Sequence, residues 1–92
     1  VSRIIRMGLV KEGRIAVIRA TISDRPGGLG QFLTLVAKLK ASVIDLHHDR
    51  HRAGIPMNRT GIEVHVETRG HEHIEEIRRI LASSGYDAQV TA

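Results

Sequence analysis

The sequence predicts an α+β fold, a four-stranded antiparallel sheet with two helices on one face. Apolar residues recur with a period of two in four stretches and with a period of three to four in two others. The order of those stretches is strand, helix, strand, strand, helix, strand, which is the split βαβ arrangement of a ferredoxin-like βαββαβ two-layer sandwich. Each strand also carries a single apolar face, as a sheet covered on one side requires.

Residues 1–9 place Ile4, Ile5 and Leu9 on one side and Arg3 and Arg6 elsewhere, the pattern of a short amphipathic N-terminal helix bracketed by Gly8 and Gly13. Such a helix is too short to stand alone. Residues 1–13 are therefore expected to be a connector or the terminal helix of an upstream domain, with the globular domain in 14–92. Residues 14–22 alternate, with Ala16, Ile18, Ala20 and Ile22 on one face and Val17, Arg19 and Thr21 on the other. Ser23-Asp24-Arg25-Pro26-Gly27-Gly28 is a turn in which proline sets one dihedral and the glycines permit close backbone approach. From Leu29 the period changes, and Leu29, Phe32, Leu33, Val36 and Ala37 form the apolar stripe of a helix to about Lys40.

Residues 43–50 return to period two, with Ile44, Leu46 and His48 toward the core and Val43, Asp45, His47 and Asp49 away from it. Residues 52–59 contain Gly54 and Pro56 and read as a loop. Ile62, Val64 and Val66 alternate with Glu63, His65 and Glu67 in the clearest strand of the chain, and Gly70 ends it. Ile74, Ile77, Ile80 and Leu81 define the second helix, whose acidic residues precede Arg78 and Arg79 in the order the helix dipole favours. Glu75 and Arg79 are spaced as an i,i+4 pair, Gly85 marks the stop, and Tyr86, Ala88 and Val90 make the last strand.

Composition removes several functional classes. The 92 residues give one small domain, 41% hydrophobic, with a net charge of +4 from 14 basic and 10 acidic residues. Phe32 and Tyr86 are the whole aromatic complement, too little for a base-stacking surface. Without cysteine there is no disulfide, thiolate nucleophile or cysteine-based metal centre. No apolar run approaches the roughly 18 residues of a membrane span, and the first residues lack the apolar stretch of a secretory signal; with no cysteine either, a cytoplasmic chain is expected. The serines stand at cap and turn positions without a nucleophile elbow, so catalysis within the chain is not expected.

Three places remain where chemistry could sit. The turn Asp24-Arg25-Pro26-Gly27-Gly28-Leu29 leaves a strand and opens a helix. The amides of Gly27, Gly28 and Leu29 would then be donors for a carboxylate, and Asp24 an acceptor for an ammonium group, a pairing that matches a free α-amino acid. The other reading of this turn is an ordinary connection in which Asp24 caps the helix. The spacing is not that of a phosphate loop. Asp45, His47, Asp49, Glu63, His65 and Glu67 fall on the uncovered sheet face, where His47 and His65 are the candidates for a metal-binding regulator; a plain polar face is the alternative. His71 and His73 stand at the start of the second helix and are read neither as caps nor as ligands. The basic loop Arg50, Arg52 and Arg59 has no interleaved aromatic residue and reads as solvated, not as a nucleic-acid surface.

Asp24-Arg25-Pro26-Gly27-Gly28-Leu29 after a strand, followed by Ala41-Ser42-Val43-Ile44 opening the next, resembles the ACT domain, a small amino-acid-sensing regulatory module. The likeness runs from about Arg14 to Val90. Gly8-Leu9-Val10-Lys11-Glu12-Gly13-Arg14 is similar to the junction preceding the C-terminal ACT domain of threonine ammonia-lyases (threonine dehydratases), and His47-His48-Asp49-Arg50, the stretch from Val66 to Ile74 and that from Leu81 through Gly85-Tyr86 are similar to that domain itself. The resemblance implies an upstream catalytic domain dependent on pyridoxal phosphate (PLP), converting threonine to 2-oxobutanoate and ammonia, with no cofactor in this chain. It also implies side-by-side pairing of ACT domains into a homo-oligomer, with an amino-acid effector at the interface. Carried over by motif, Asp24, Arg25, Pro26, Gly27, Gly28 and Leu29 of one copy would face Ser42, Val43 and Ile44 of another.

Ser42 stands where such families often carry asparagine, which shortens the side chain available to clamp an effector. The sequence thus leads to a non-catalytic domain that binds an amino acid of the isoleucine, valine, threonine or serine class and controls an attached lyase allosterically. A ligand-free oligomerisation module and a free-standing ACT protein are the alternatives.

Overall fold

Six elements follow in the expected order: β1 (Ile15–Ser23), α1 (Gly28–Lys38), β2 (Ser42–Asp49), β3 (Arg59–Glu67), α2 (His71–Ser83) and β4 (Asp87–Thr91). This computed structural model describes residues 14–49 and 58–91. The helix and connector expected in 1–13 and most of the loop expected in 52–59 lie outside the described residues. Residues 58 and 59 are described, and Arg59 already opens β3 where the sequence reads as loop. No helix among the described residues is long and apolar enough to cross a membrane.

The four strands form one sheet in the order β2-β3-β1-β4, with every neighbouring pair antiparallel. The central places go to β1 and β3, which carry the longest alternations. Their register sets Ile18 opposite Val64 and Ala20 opposite Ile62, so both apolar rows meet under the helices. Ile18, Ala20, Ile62, Val64 and Val66 are fully buried there. α1 contributes Phe32 and Val36, and α2 contributes Ile74, Ile77 and Leu81. Ala37, read as part of the α1 stripe, is exposed. The two aromatic residues pack edge to face at 5.0 Å, closing the core beside β4.

Further local expectations change, among them that of His48, expected toward the core and exposed in the fold. A register shift between Val43 and Asp45 inserts one extra residue into β2. Val43 therefore faces Val66 on the helix side, and Ile44, expected in the core, is 49% exposed at the sheet edge. After the shift the expected phase returns, with Leu46 opposite Val64. Glu75 pairs with Arg78 in place of Arg79, because Arg78 also donates to the Val90 carbonyl at 2.7 Å and is held over β4.

Both helices close with the same hydrogen-bonded cap. After α1, Lys40 N–H donates to the Ala37 carbonyl at 2.9 Å and Ala41 N–H to the Val36 carbonyl at 3.4 Å. After α2, Gly85 N–H donates to Ala82 and Tyr86 N–H to Leu81, each at 3.1 Å. This double bond pattern is the Schellman motif, which requires a left-handed residue just past the helix. Gly85 fills that place at φ 86°, and Lys40 fills it at φ 62°.

Candidate functional site

The β1–α1 turn is built around two glycines. Gly27 is the residue before the helix and has φ 86°, a left-handed conformation. A Cβ on Gly28 would stand 2.5 Å from the Ser23 carbonyl oxygen, so the chain folds back on itself only with glycine here. Asp24 N–H donates to the Asn58 carbonyl at 3.1 Å, which ties the turn to the start of β3. Gly28 N–H donates to the Arg25 carbonyl at 3.0 Å. Of the three amides read as donors for a ligand, that of Gly28 is thus used within the turn.

Among the described residues, the amides of Leu29 and Gly30 have no hydrogen-bond partner, so donors remain at the mouth of α1. No side chain caps this helix. The reading of Asp24 as a helix cap is therefore set aside: its carboxylate, with Arg25, Pro26 and Gly27, is exposed, and Gly28 and Leu29 are half-buried.

Ser42, Val43 and Ile44 open β2, an edge strand, and all three are exposed. Among the described residues, Val43 at 46% and Ile44 at 49% are the exposed large hydrophobic ones. Ser42 lies opposite Glu67, which in turn lies opposite Ile15 at the start of β1. The turn follows Ser23, at the other end of that strand.

The uncovered sheet face carries a polar network. Arg19 Nε donates to Glu63 Oε1 at 3.0 Å, and His65 Nε2 lies 3.0 Å from Glu63 Oε2. His47 Nε2 is 2.9 Å from Asp45 Oδ2, and the two imidazole rings stand 6.0 Å apart. The His65 hydrogen bond, then that of Arg19, holds the Glu63 carboxyl below its usual range against partial burial. The Leu46 amide, then His47, lowers Asp45 in the same sense. The Nε2 of each of these two histidines is thus committed to a carboxylate. Among the described residues no group of three or more His, Asp or Glu is arranged to hold a metal ion.

One residue escaped the sequence reading. His73 is 3% exposed. Its Nε2 lies 2.5 Å from the Leu39 carbonyl and its Nδ1 accepts from the Arg69 amide at 2.9 Å. A carbonyl only accepts, so Nε2 carries the proton and Nδ1 is the acceptor. The imidazole braces the end of α1 against the β3–α2 turn. No local pattern announces this, because its carbonyl partner lies 34 residues away.

No protein-family model matches the chain. It is 40% identical over 90 residues to an L-threonine ammonia-lyase of Thermotoga maritima, covering 98% of this chain and 22% of that protein. It is 35% identical over 86 residues to an L-threonine ammonia-lyase of Geobacter sulfurreducens, covering 94% of this chain and 21% of that protein. The chain thus spans about a fifth of the length of these relatives. Among solved structures it is similar to the regulatory subunit of aspartate kinase from Thermus thermophilus in its ligand-free form. That match has a TM-score of 0.57 and 22% identity, over 86% of this chain and 51% of the other. The fold is therefore a ferredoxin-like, ACT-type sandwich.

Proposed function

We propose that this chain is a non-catalytic ACT domain that binds a small amino acid between two copies of itself and so controls an attached threonine ammonia-lyase. One observation carries the reading: within a single chain the two expected halves of the site stand at opposite ends of the sheet. The nine-residue strand β1 separates the row of Ser42 from the Asp24 turn by about 26 Å. One chain cannot close such a site, and a second copy can. Antiparallel pairing of β2 with its twofold mate would bring the partner's start of β2 to the end of the sheet where the turn lies. It would also cover the exposed edge formed by Val43 and Ile44.

In this arrangement the amides at the mouth of α1 receive the effector carboxylate, and Asp24 receives its ammonium group. The partner's strand then contacts the effector side chain, which selects within the isoleucine, valine, threonine and serine class. A ligand held by both copies stabilises one packing of the pair over others, and that preference is what an attached catalytic domain senses. Among the described residues the only lysines, Lys38 and Lys40, are exposed at the end of α1. Neither suits the buried Schiff-base lysine that pyridoxal phosphate requires, and no step assigned to this chain runs through that cofactor.

Isothermal calorimetry with isoleucine, valine, threonine and serine tests the reading. Heat from at least one of them, lost in Asp24→Ala, is the expected result. Absence of binding by all four at millimolar concentration refutes the sensing role and leaves a module of assembly alone.

A further inference from the structure

Lys40 occupies a position that glycine fills better. The two helix caps share one bond pattern, yet one carries Gly85 and the other carries a lysine at φ 62°. A left-handed backbone is unfavourable for any L-residue with a Cβ. Lys40 is exposed, so no core packing compensates. It borders an open cleft of about 580 Å³, also lined by Arg14, Ser42, Glu67, Thr68 and Arg69. That volume is in the range of small-molecule sites.

Three cations and one carboxylate give the cleft an excess of positive charge. Arg14 lies 3.8 Å from Glu67, while among the described residues no carboxylate pairs with Lys40 or Arg69. The backbones beneath those two cations are held by one buried side chain. His73 bonds the Arg69 amide on one side and the carbonyl of Leu39, the neighbour of Lys40, on the other. Thr68 N–H donates to the Arg14 carbonyl at 2.7 Å and ties in the third cation. The cleft is therefore a cationic site whose backbone frame is braced before any ligand arrives.

We propose that this cleft binds a small phosphate-bearing dianion, with Lys40 and Arg69 as its direct cationic contacts. An amino acid is a poor fit, because its ammonium group would face the unpaired cations. A nucleotide base finds no aromatic ring among the lining residues on which to stack. Inorganic phosphate or a small phosphate monoester satisfies the charge and the size. Within one chain the site stands at the opposite end of the sheet from the Asp24 turn; it shares Ser42 with the amino-acid site proposed between two copies, but its cationic contacts, Lys40 and Arg69, belong to no part of that site.

The test is a titration of the 92-residue chain with inorganic phosphate at constant ionic strength, followed by amide chemical shifts. Saturable shifts at Lys40, Ser42 and Arg69 are expected, with chloride unable to reproduce them. Lys40→Gly removes the charge at a position where glycine suits the backbone, so the fold survives. Arg69→Gln is the second variant. Each should weaken phosphate by about tenfold or more, as loss of a charge-assisted contact implies. Shifts that do not saturate, that chloride matches, or that both variants retain at the original midpoint overturn the proposal.

Discussion

Replacing Lys40 measures how much the left-handed cap costs the fold. Two terms act at this position. A Cβ at a left-handed residue costs about 1–2 kcal/mol, and glycine returns about 0.5–1 kcal/mol of that as lost unfolded-state entropy. The lysine charge near the end of α1 adds about 0.3–1 kcal/mol of favourable dipole interaction. Lys40→Ala removes the charge and keeps the Cβ; Lys40→Gly removes both. The difference between the two variants isolates the backbone term, with Lys40→Gly the more stable by about 0.5–1 kcal/mol. In a domain of this size that is a gap of about 3–6 °C in Tm, readable by calorimetry or circular dichroism. The same reasoning makes Gly85→Ala destabilising by about 1 kcal/mol, since Gly85 holds φ 86° in the matching cap. Lys40→Gly and Lys40→Ala of equal stability, or a Gly85→Ala that melts with the parent, would refute the assignment of both caps.

Other substitutions probe the turn, the brace and the sheet face. Gly28→Ala sets a Cβ 2.5 Å from the Ser23 carbonyl. It should cost about 1–3 kcal/mol in urea unfolding and abolish amino-acid heat in the same sample. His73→Ala strands the Leu39 carbonyl and the Arg69 amide in a buried place and should cost about 2–4 kcal/mol, measured by the same unfolding curves. Glu63 has a carboxyl held below its usual value of 4.5 in the fold, so its contribution is present above that pH and lost as pH falls below it. Glu63→Gln should therefore be less stable than the parent at pH 7, with the gap in Tm closing between pH 4.5 and more acid conditions. A gap independent of pH would contradict the network.

What could be read in the sequence was what has a period or a fixed spacing. The alternations of β1 and β3 and the stripes of both helices located the core, since burial on one face leaves a regular trace. The Pro-Gly-Gly turn was legible because only a narrow set of residues makes such a bend. The insertion at Ile44 was not, because a single extra residue shifts the phase of a strand without any compositional mark. Lys40 was hidden for a related reason: the usual signal for a left-handed helix stop is glycine, and here the stop carries a lysine. His73 depends on a carbonyl contributed by the other helix, so its role exists only after the chain has folded. The turn and the start of β2 were both marked by motif, but only the sheet register shows that one chain holds them apart.

That separation makes self-association the direct test. Sedimentation velocity of the 92-residue chain, with and without isoleucine, valine, threonine and serine, reads the dimer affinity as a function of ligand. A dimer that at least one of these amino acids tightens or loosens, with no such response in Asp24→Ala, is the expected result. A dimer affinity that ignores all four, or a chain that stays monomeric with each of them, would contradict it.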